Sequence, residues 1–218
     1  NRSGLDLDIQ GGLSVVVLLG NYINDIALDG NLRNNCFNGN IVIADDELDL
    51  DFKGRFDFSN PKALGGDFTM EIASADLHQL NIIKDDQTAM LTASIRANMD
   101  NINNFDQIEG ALSIKDVSFT NSRGHHVMKQ FDANIVNDNL LQKRIDLNCD
   151  FFDFEMAGKM NFATIAMAFK QYVYSYVVIP QWTESIANFE KGTKSSEQDF
   201  IVSMNLKNPK PLTKLLVP

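Results

Sequence analysis

The stretch Leu48-Asp49-Leu50-Asp51-Phe52-Lys53-Gly54-Arg55-Phe56-Asp57-Phe58 places an apolar residue at every second position, interrupted once at Gly54, with charged residues between them. Successive side chains of a β-strand point to opposite faces, so this spacing predicts a strand with one greasy side and one charged side. The same period returns outward along the chain. It is carried by Leu5, Leu7 and Ile9, by Ile41 and Ile43, by Phe68, Met70 and Ile72, and by Leu91, Ala93, Ile95 and Ala97. Leu112 and Ile114 continue it, and Val117 and Phe119 resume it after a one-residue break that implies a bulge near Asp116. Ile145, Leu147 and Cys149, then Phe152, Phe154, Met156, Met160 and Phe162, and finally Phe200, Val202, Met204 and Leu206 complete the series. Val15 to Leu19 is the longest apolar run; it is a candidate buried strand and is too short to span a bilayer.

Asn34-Asn35, Asn38-Gly39-Asn40, Asn60-Pro61, Gly65-Gly66, Asp100 to Asn104 and Asn137-Asp138-Asn139 separate these runs with turn-forming residues. Short turns between alternating runs predict antiparallel hairpins and meanders. No stretch has the look of an interdomain linker, so the expectation is one mainly β segment over residues 1–218, built from roughly ten strands. The start at Asn1 and the close at Val217-Pro218 read as a piece of a longer chain. Asn-Pro-Lys-x-Leu ends a predicted strand twice, at Asn60 to Leu64 and at Asn208 to Leu212, a faint sign of repeating units.

Composition agrees with this pattern. The 218 residues contain 22 Asp and 23 Asn against 7 Glu, a balance that favours turns and strand ends over helix surfaces. The net charge of −10 excludes a partner whose binding depends on neutralising phosphates, so nucleic acid is not expected. One segment departs from the β period. Ile165, Phe169, Tyr172, Val173 and Tyr176 recur at helical spacing within Ala163 to Tyr176, and Pro180 stops them. A second short helix from about Glu184, capped by Thr183 and ended by Gly192, gives a helical insertion over about 163–192. Leu212 to Leu216 reads as the start of one more.

Little in the chain carries covalent chemistry. Gly-x-Ser-x-Gly, the Gly-rich phosphate loops, His-Glu-x-x-His and Cys-x-x-Cys are all missing, so neither catalysis nor a cofactor is expected. His125 and His126 are strand neighbours that point to opposite faces, and His78 stands apart, which makes no metal set. Asp45, Asp46, Glu47, Asp49 and Asp51 lack the spacing and glycine of a calcium loop and read as a solvated outer face. Cys36 and Cys149 leave a disulfide open. Phe169, Tyr172, Tyr174, Tyr176 and Trp182 form an aromatic patch, read either as packing on the sheet or as a lid in which Phe169, Tyr172, Tyr176 and Trp182 take part.

A sheet with one apolar face must cover it, and about two short helices cannot hide ten strands. Two solutions stay open at this point. The strands close into a sandwich or barrel, serving as a scaffold or adhesion module, or they curl into an open trough completed by something else.

The stretch Ile41-Val42-Ile43-Ala44-Asp45-Asp46-Glu47-Leu48-Asp49-Leu50-Asp51-Phe52-Lys53-Gly54-Arg55-Phe56-Asp57-Phe58-Ser59 resembles the TamB-like translocation and assembly module proteins of the AsmA superfamily. Ala75-Asp76-Leu77-His78-Gln79-Leu80-Asn81-Ile82 and Met204-Asn205-Leu206-Lys207-Asn208-Pro209-Lys210-Pro211-Leu212 are similar to that family's recurring phrases. The resemblance implies a long antiparallel sheet curled into a taco-like groove of the bridge-like lipid-transfer group. It further implies a periplasmic protein anchored in the inner membrane and working with an Omp85-type outer-membrane partner, through parts of the parent chain not represented here. Phospholipid acyl chains would be its cargo, moved without a chemical step, with outer-membrane protein assembly as a related role. The positions expected to line the groove are Leu48, Leu50, Phe52, Phe56, Phe58, Phe68, Met70, Ile72, Leu91, Ile95, Leu112, Ile114, Ile145, Leu147, Phe152, Phe154, Met156, Val202, Met204 and Leu206.

Overall fold

A computed structural model describes residues 6–104, 106–138, 142–161, 165, 167, 171, 174–176 and 199–208. Eleven strands follow one another in chain order and lie side by side in that same order, each antiparallel to its neighbours. They are β1 (Asp6–Leu18), β2 (Asn21–Arg33), β3 (Cys36–Ala44), β4 (Leu48–Asp57), β5 (Gly65–Asp76), β6 (Met90–Asp100), β7 (Glu109–Asn121), β8 (Gly124–Asp138), β9 (Gln142–Cys149), β10 (Phe152–Lys159) and β11 (Asp199–Leu206). The sheet does not close, because β1 and β11 are its two edges. Two packed sheets, the sandwich that the sequence left open, are not what the described residues form.

The registers carry the alternation of each strand onto one common face. Leu50 lies opposite Ile43 and Ile72, and Phe52 opposite Ile41 and Met70. Met70 is opposite Ile95, Ile95 opposite Ile114, and Ile114 opposite Phe131. Ile135 faces Ile145, Ile145 faces Met156, and Met156 faces Val202. A one-residue slip in any strand would send its whole apolar set to the charged side, so these matches hold the register of the sheet. The other face carries Asp49, Asp51, Lys53, Arg55, Glu71, Arg96, Lys115, Arg144 and Glu155, spread over long strands where outward charge also opposes edge-to-edge association.

Irregularities keep the apolar residues on one side where the period changes. Opposite Ala93, β7 carries two residues, Asp116 and Val117, between the Ser94–Lys115 and Thr92–Ser118 pairs, which is the bulge the sequence implied. Asp116 takes a left-handed backbone with φ 50. Asp25 in β2 does the same with φ 51, and the buried positions change from Ile26 to Ile23 across it. A further register shift lies in β5 between Ile72 and Ala75.

Gly54 interrupts the apolar row of β4 for a geometric reason. It lies opposite Phe68, and its φ of 148 suits glycine alone. An added Cβ would land against the backbone of Asp67 and Phe68, so the Phe68 ring lies over a strand that has no side chain there, 5.2 Å from the Phe52 ring. Gly158 and Phe200 repeat this arrangement between β10 and β11.

Several expectations need correction. β4 ends at Asp57, so Phe58 lies just past the strand, 36% exposed and packed on Phe56. Val15 and Val17 are not buried but 51% and 62% exposed on the edge strand β1. β2 and β8 complete the sheet without having been read from the alternation. Cys36 and Cys149, whose pairing the sequence left open, are free thiols on β3 and β9. Among the described residues of the expected insertion, Ile165, Met167, Gln171 and Tyr174 to Tyr176 are helical, and Tyr176 is 74% exposed. Phe169, Tyr172 and Trp182, the helix from Glu184 and the one at Leu212 lie outside the described residues.

Gly54→Val tests the role of that glycine, because it forces a β-branched side chain into a backbone that L residues avoid. The variant is expected to lose about 1–3 kcal/mol of stability in urea titration, whereas Gly12→Ala, with only Ile26 O at 3.7 Å, should lose far less.

Candidate functional site

The apolar face is the feature that sets this chain apart, and the chain covers it unevenly. At the end of the sheet where β4 begins, the connection between β5 and β6 folds back over the face. Its Leu77, Leu80 and Ala89 pack with Ile23, Ile26, Ile43, Leu48 and Ala75, all 0–8% exposed. Hydrogen bonds fix the cap on both sides. Asn81 Nδ2 donates to Leu19 O at 3.2 Å, and Asn21 Nδ2 donates to Gln79 O. On the far side, the Asp86 carboxylate accepts from Ser122 N at 2.8 Å and Ser122 Oγ at 2.6 Å, in the β7–β8 turn, and from Thr88.

At the opposite end a smaller cover lies over the last strands. Met156 and Met160 are buried among Ile108, Ile135, Ile145, Phe154, Ile165 and Phe200. Lys143, 9% exposed on the apolar side of β9, is held there by Asp106, its Nζ 2.5 Å from Oδ1 and 2.6 Å from the backbone oxygen. Burial of a charge requires such a partner.

Among the described residues, the middle rows between the two covers have only one another. Phe52, Phe68, Met70, Ile95, Leu112, Ile114, Phe131 and Leu147 are all half-buried, sheltered sideways by neighbouring strands and not by a second layer among the described residues. The chain as a whole exposes 14436 Å², against roughly 10,000 Å² for a compact protein of its mass. All the residues expected to line a groove, Phe58 apart, lie in strands and on this one face.

A cavity of about 430 Å³ opens on the apolar face beside the first cover. β6 contributes Leu91, β7 Val117 and Phe119, β8 His126, Met128 and Phe131, β9 Cys149, and β10 Phe152. Of these, Leu91 and Phe152 were expected inward residues; the β8 wall was not foreseen. His126 stacks on Phe119 with ring centres 6.2 Å apart, and its Nε2 is a buried nitrogen without a hydrogen-bond partner. His125 points the other way, as neighbours in a strand must, and its Nδ1 lies 3.0 Å from Thr120 Oγ1. Among the described residues no set of three His, Cys, Asp or Glu side chains could hold a metal ion.

The polar face has a concavity of its own, about 660 Å³ across β6 to β11. The acids in its lining, Asp132, Asp146, Asp153 and Glu155, are paired. Arg144 reaches Asp146 at 2.9 Å and Glu155 at 3.1 Å, and Asp146 raises its pKa. Lys207 lies 2.5 Å from Asp153 and is the main cause that holds that carboxyl below its usual range; the Ser113 hydroxyl does the same for Asp132, with Gln130 second. Asp45 keeps contact with solvent, as the sequence suggested, and also has a structural task. It accepts from Glu47 N and Asn24 N, both 2.9 Å away, and these bonds lower its pKa.

No family model, curated protein or solved structure matches the chain. The likeness to TamB-like proteins therefore rests on the phrases quoted from the sequence. Among the described residues no helix is long and apolar enough to cross a membrane.

Hydrogen bonds from Ser122, and then from Thr88, hold the Asp86 pKa well below the ordinary 3.8. The folded state therefore favours the carboxylate, so the clamp is complete above pH 3.8 and is lost as the pH falls through that value toward the folded pKa. Amides of residues 77–89 should exchange faster in acid, after correction for intrinsic rates. In Asp86→Ala they should exchange faster at neutral pH too, with no further change on acidification.

Proposed function

We propose that this chain is a non-enzymatic segment whose apolar sheet face shields the acyl chains of phospholipid from water. The observation that carries the proposal is the face shared by apolar residues of all eleven strands, with covers at its two ends and, among the described residues, none over its middle. Each methylene moved from water onto such a surface is worth about 0.8 kcal/mol, with no need of shaped polar contacts. Half-buried Phe and Met side chains suit guests of variable form, since thioether chains repack easily and rings offer broad flat area. A head group would remain in solvent. Transport along the face would need only a run of sites of similar affinity.

The curled groove of the TamB-like and AsmA-like proteins is the architecture in which this function is best understood. In that setting the segment would belong to an envelope-spanning periplasmic protein, anchored in the inner membrane and meeting an Omp85-type partner at the outer membrane. Lipid movement between the membranes, support of outer-membrane protein assembly, or both would follow. The two open edges support this setting, because β1 and β11 leave the sheet free to continue into further strands. Leu13 and Val17 on β1, and Ile201 and Met204 on β11, are exposed apolar residues that such strands would cover.

Phe56→Asp and Leu112→Asp place a carboxylate on the apolar face without touching either cover. Transfer of fluorescent phospholipid between vesicles by the protein should fall about tenfold in each, the equivalent of roughly 1.4 kcal/mol of lost apolar contact. Folded variants that transfer lipid at the original rate would refute the proposal.

A further inference from the structure

We infer that the cavity between β6 and β10 is a seat for one long-chain fatty acid, with its alkyl chain along Phe131, Met128 and Phe152 and its carboxyl group turned to His126. The inference rests on the proposed function and narrows it, naming a single-chain ligand for one part of the face.

Three observations converge on this ligand. At about 430 Å³ the cavity falls within the ~300–1,000 Å³ usual for small-molecule sites, while two acyl chains with a phosphate head group exceed it. It is also walled on one side. Leu91 and Phe119 belong both to its lining and to the packing beneath the 77–89 cover, so a chain entering along the face stops there and does not run on. The lining is apolar except for one group, and that group is incomplete. His126 Nε2 is the buried side-chain nitrogen or oxygen left without a partner among the described residues. A buried polar atom in that state is destabilising and calls for an explanation. Rotation of the ring toward the cavity would let Nε2 hydrogen-bond a ligand carboxyl, either accepting from the acid or donating to the carboxylate, depending on which species holds the proton. A plain hydrocarbon would leave the nitrogen unpaired.

Fluorescence titration with dansyl-labelled undecanoic acid, followed by displacement with oleic acid and with methyl oleate, tests the seat in the full chain. The protein should bind one equivalent of probe, and oleic acid should displace it at least tenfold more tightly than the ester. Val117→Trp fills the cavity and should weaken the probe tenfold or more; Met128→Trp provides the same test should the first variant not fold. His126→Phe should bind acid and ester alike. Folded tryptophan variants that bind the probe unchanged, or a His126→Phe protein that still prefers the acid, would overturn the inference. If the unaltered protein ignores the probe while phospholipid still copurifies with it, the seat is wrong and the proposed function stands. If neither binds, both fall.

Discussion

Water must be kept from one face of a sheet that the described residues cover only at two ends, and most of the structure follows from that constraint. Alternation, corrected by bulges where the period slips, gathers most of the apolar side chains of eleven strands on one side. A globular protein would answer with a second layer. Here the answer is partial: the β5–β6 connection folds over one end, and Met160 with Ile165 and the β6–β7 connection closes the other. On the proposed function, the half-buried rows between would be what the protein offers to a guest.

The local devices serve the same end. Bulges at Asp116 and in β5 let the period slip without turning an apolar residue outward, and each adds twist to the sheet. Glycines at positions 54 and 158 remove a side chain so that Phe68 and Phe200 can lie across the strands. The polar side is organised differently. Arg144, Lys207, Asp153 and Glu155 pair with one another or with a neighbouring acid or asparagine, so the acids that border its concavity are satisfied.

Strands with an unbroken two-residue period were legible in the sequence, as were the face they present and the bulge at Asp116. β2 escaped because Asp25 switches the parity of its buried residues, and Asn24, Gly30 and Asn31 dilute the pattern. β8 escaped for a similar reason. Its inward residues run His126, Met128, then Phe131, Ala133 and Ile135, a change of phase in which a histidine and an alanine stand where the eye seeks large apolar side chains. The missed strand supplies much of the cavity wall, so the cavity was missed with it. The closing of the Leu48 end was also hidden, since Leu77, Leu80 and Ala89 lie in a connection with no period, and only the tertiary contact reveals their role. Asp45 read as a surface acid, yet it ties the β3–β4 connection to β2, and Asp86, which the sequence did not single out, ties the β5–β6 connection to the β7–β8 turn, through donors that no local spacing shows.

Native mass spectrometry of the gently purified chain tests the central claim most directly. Monomeric ions should carry the added mass of phospholipid or fatty acid, removable only by collisional activation that strips bound lipid. Folded monomers that fly bare under the mildest conditions, from a preparation in which lipid was plentiful, would contradict the account.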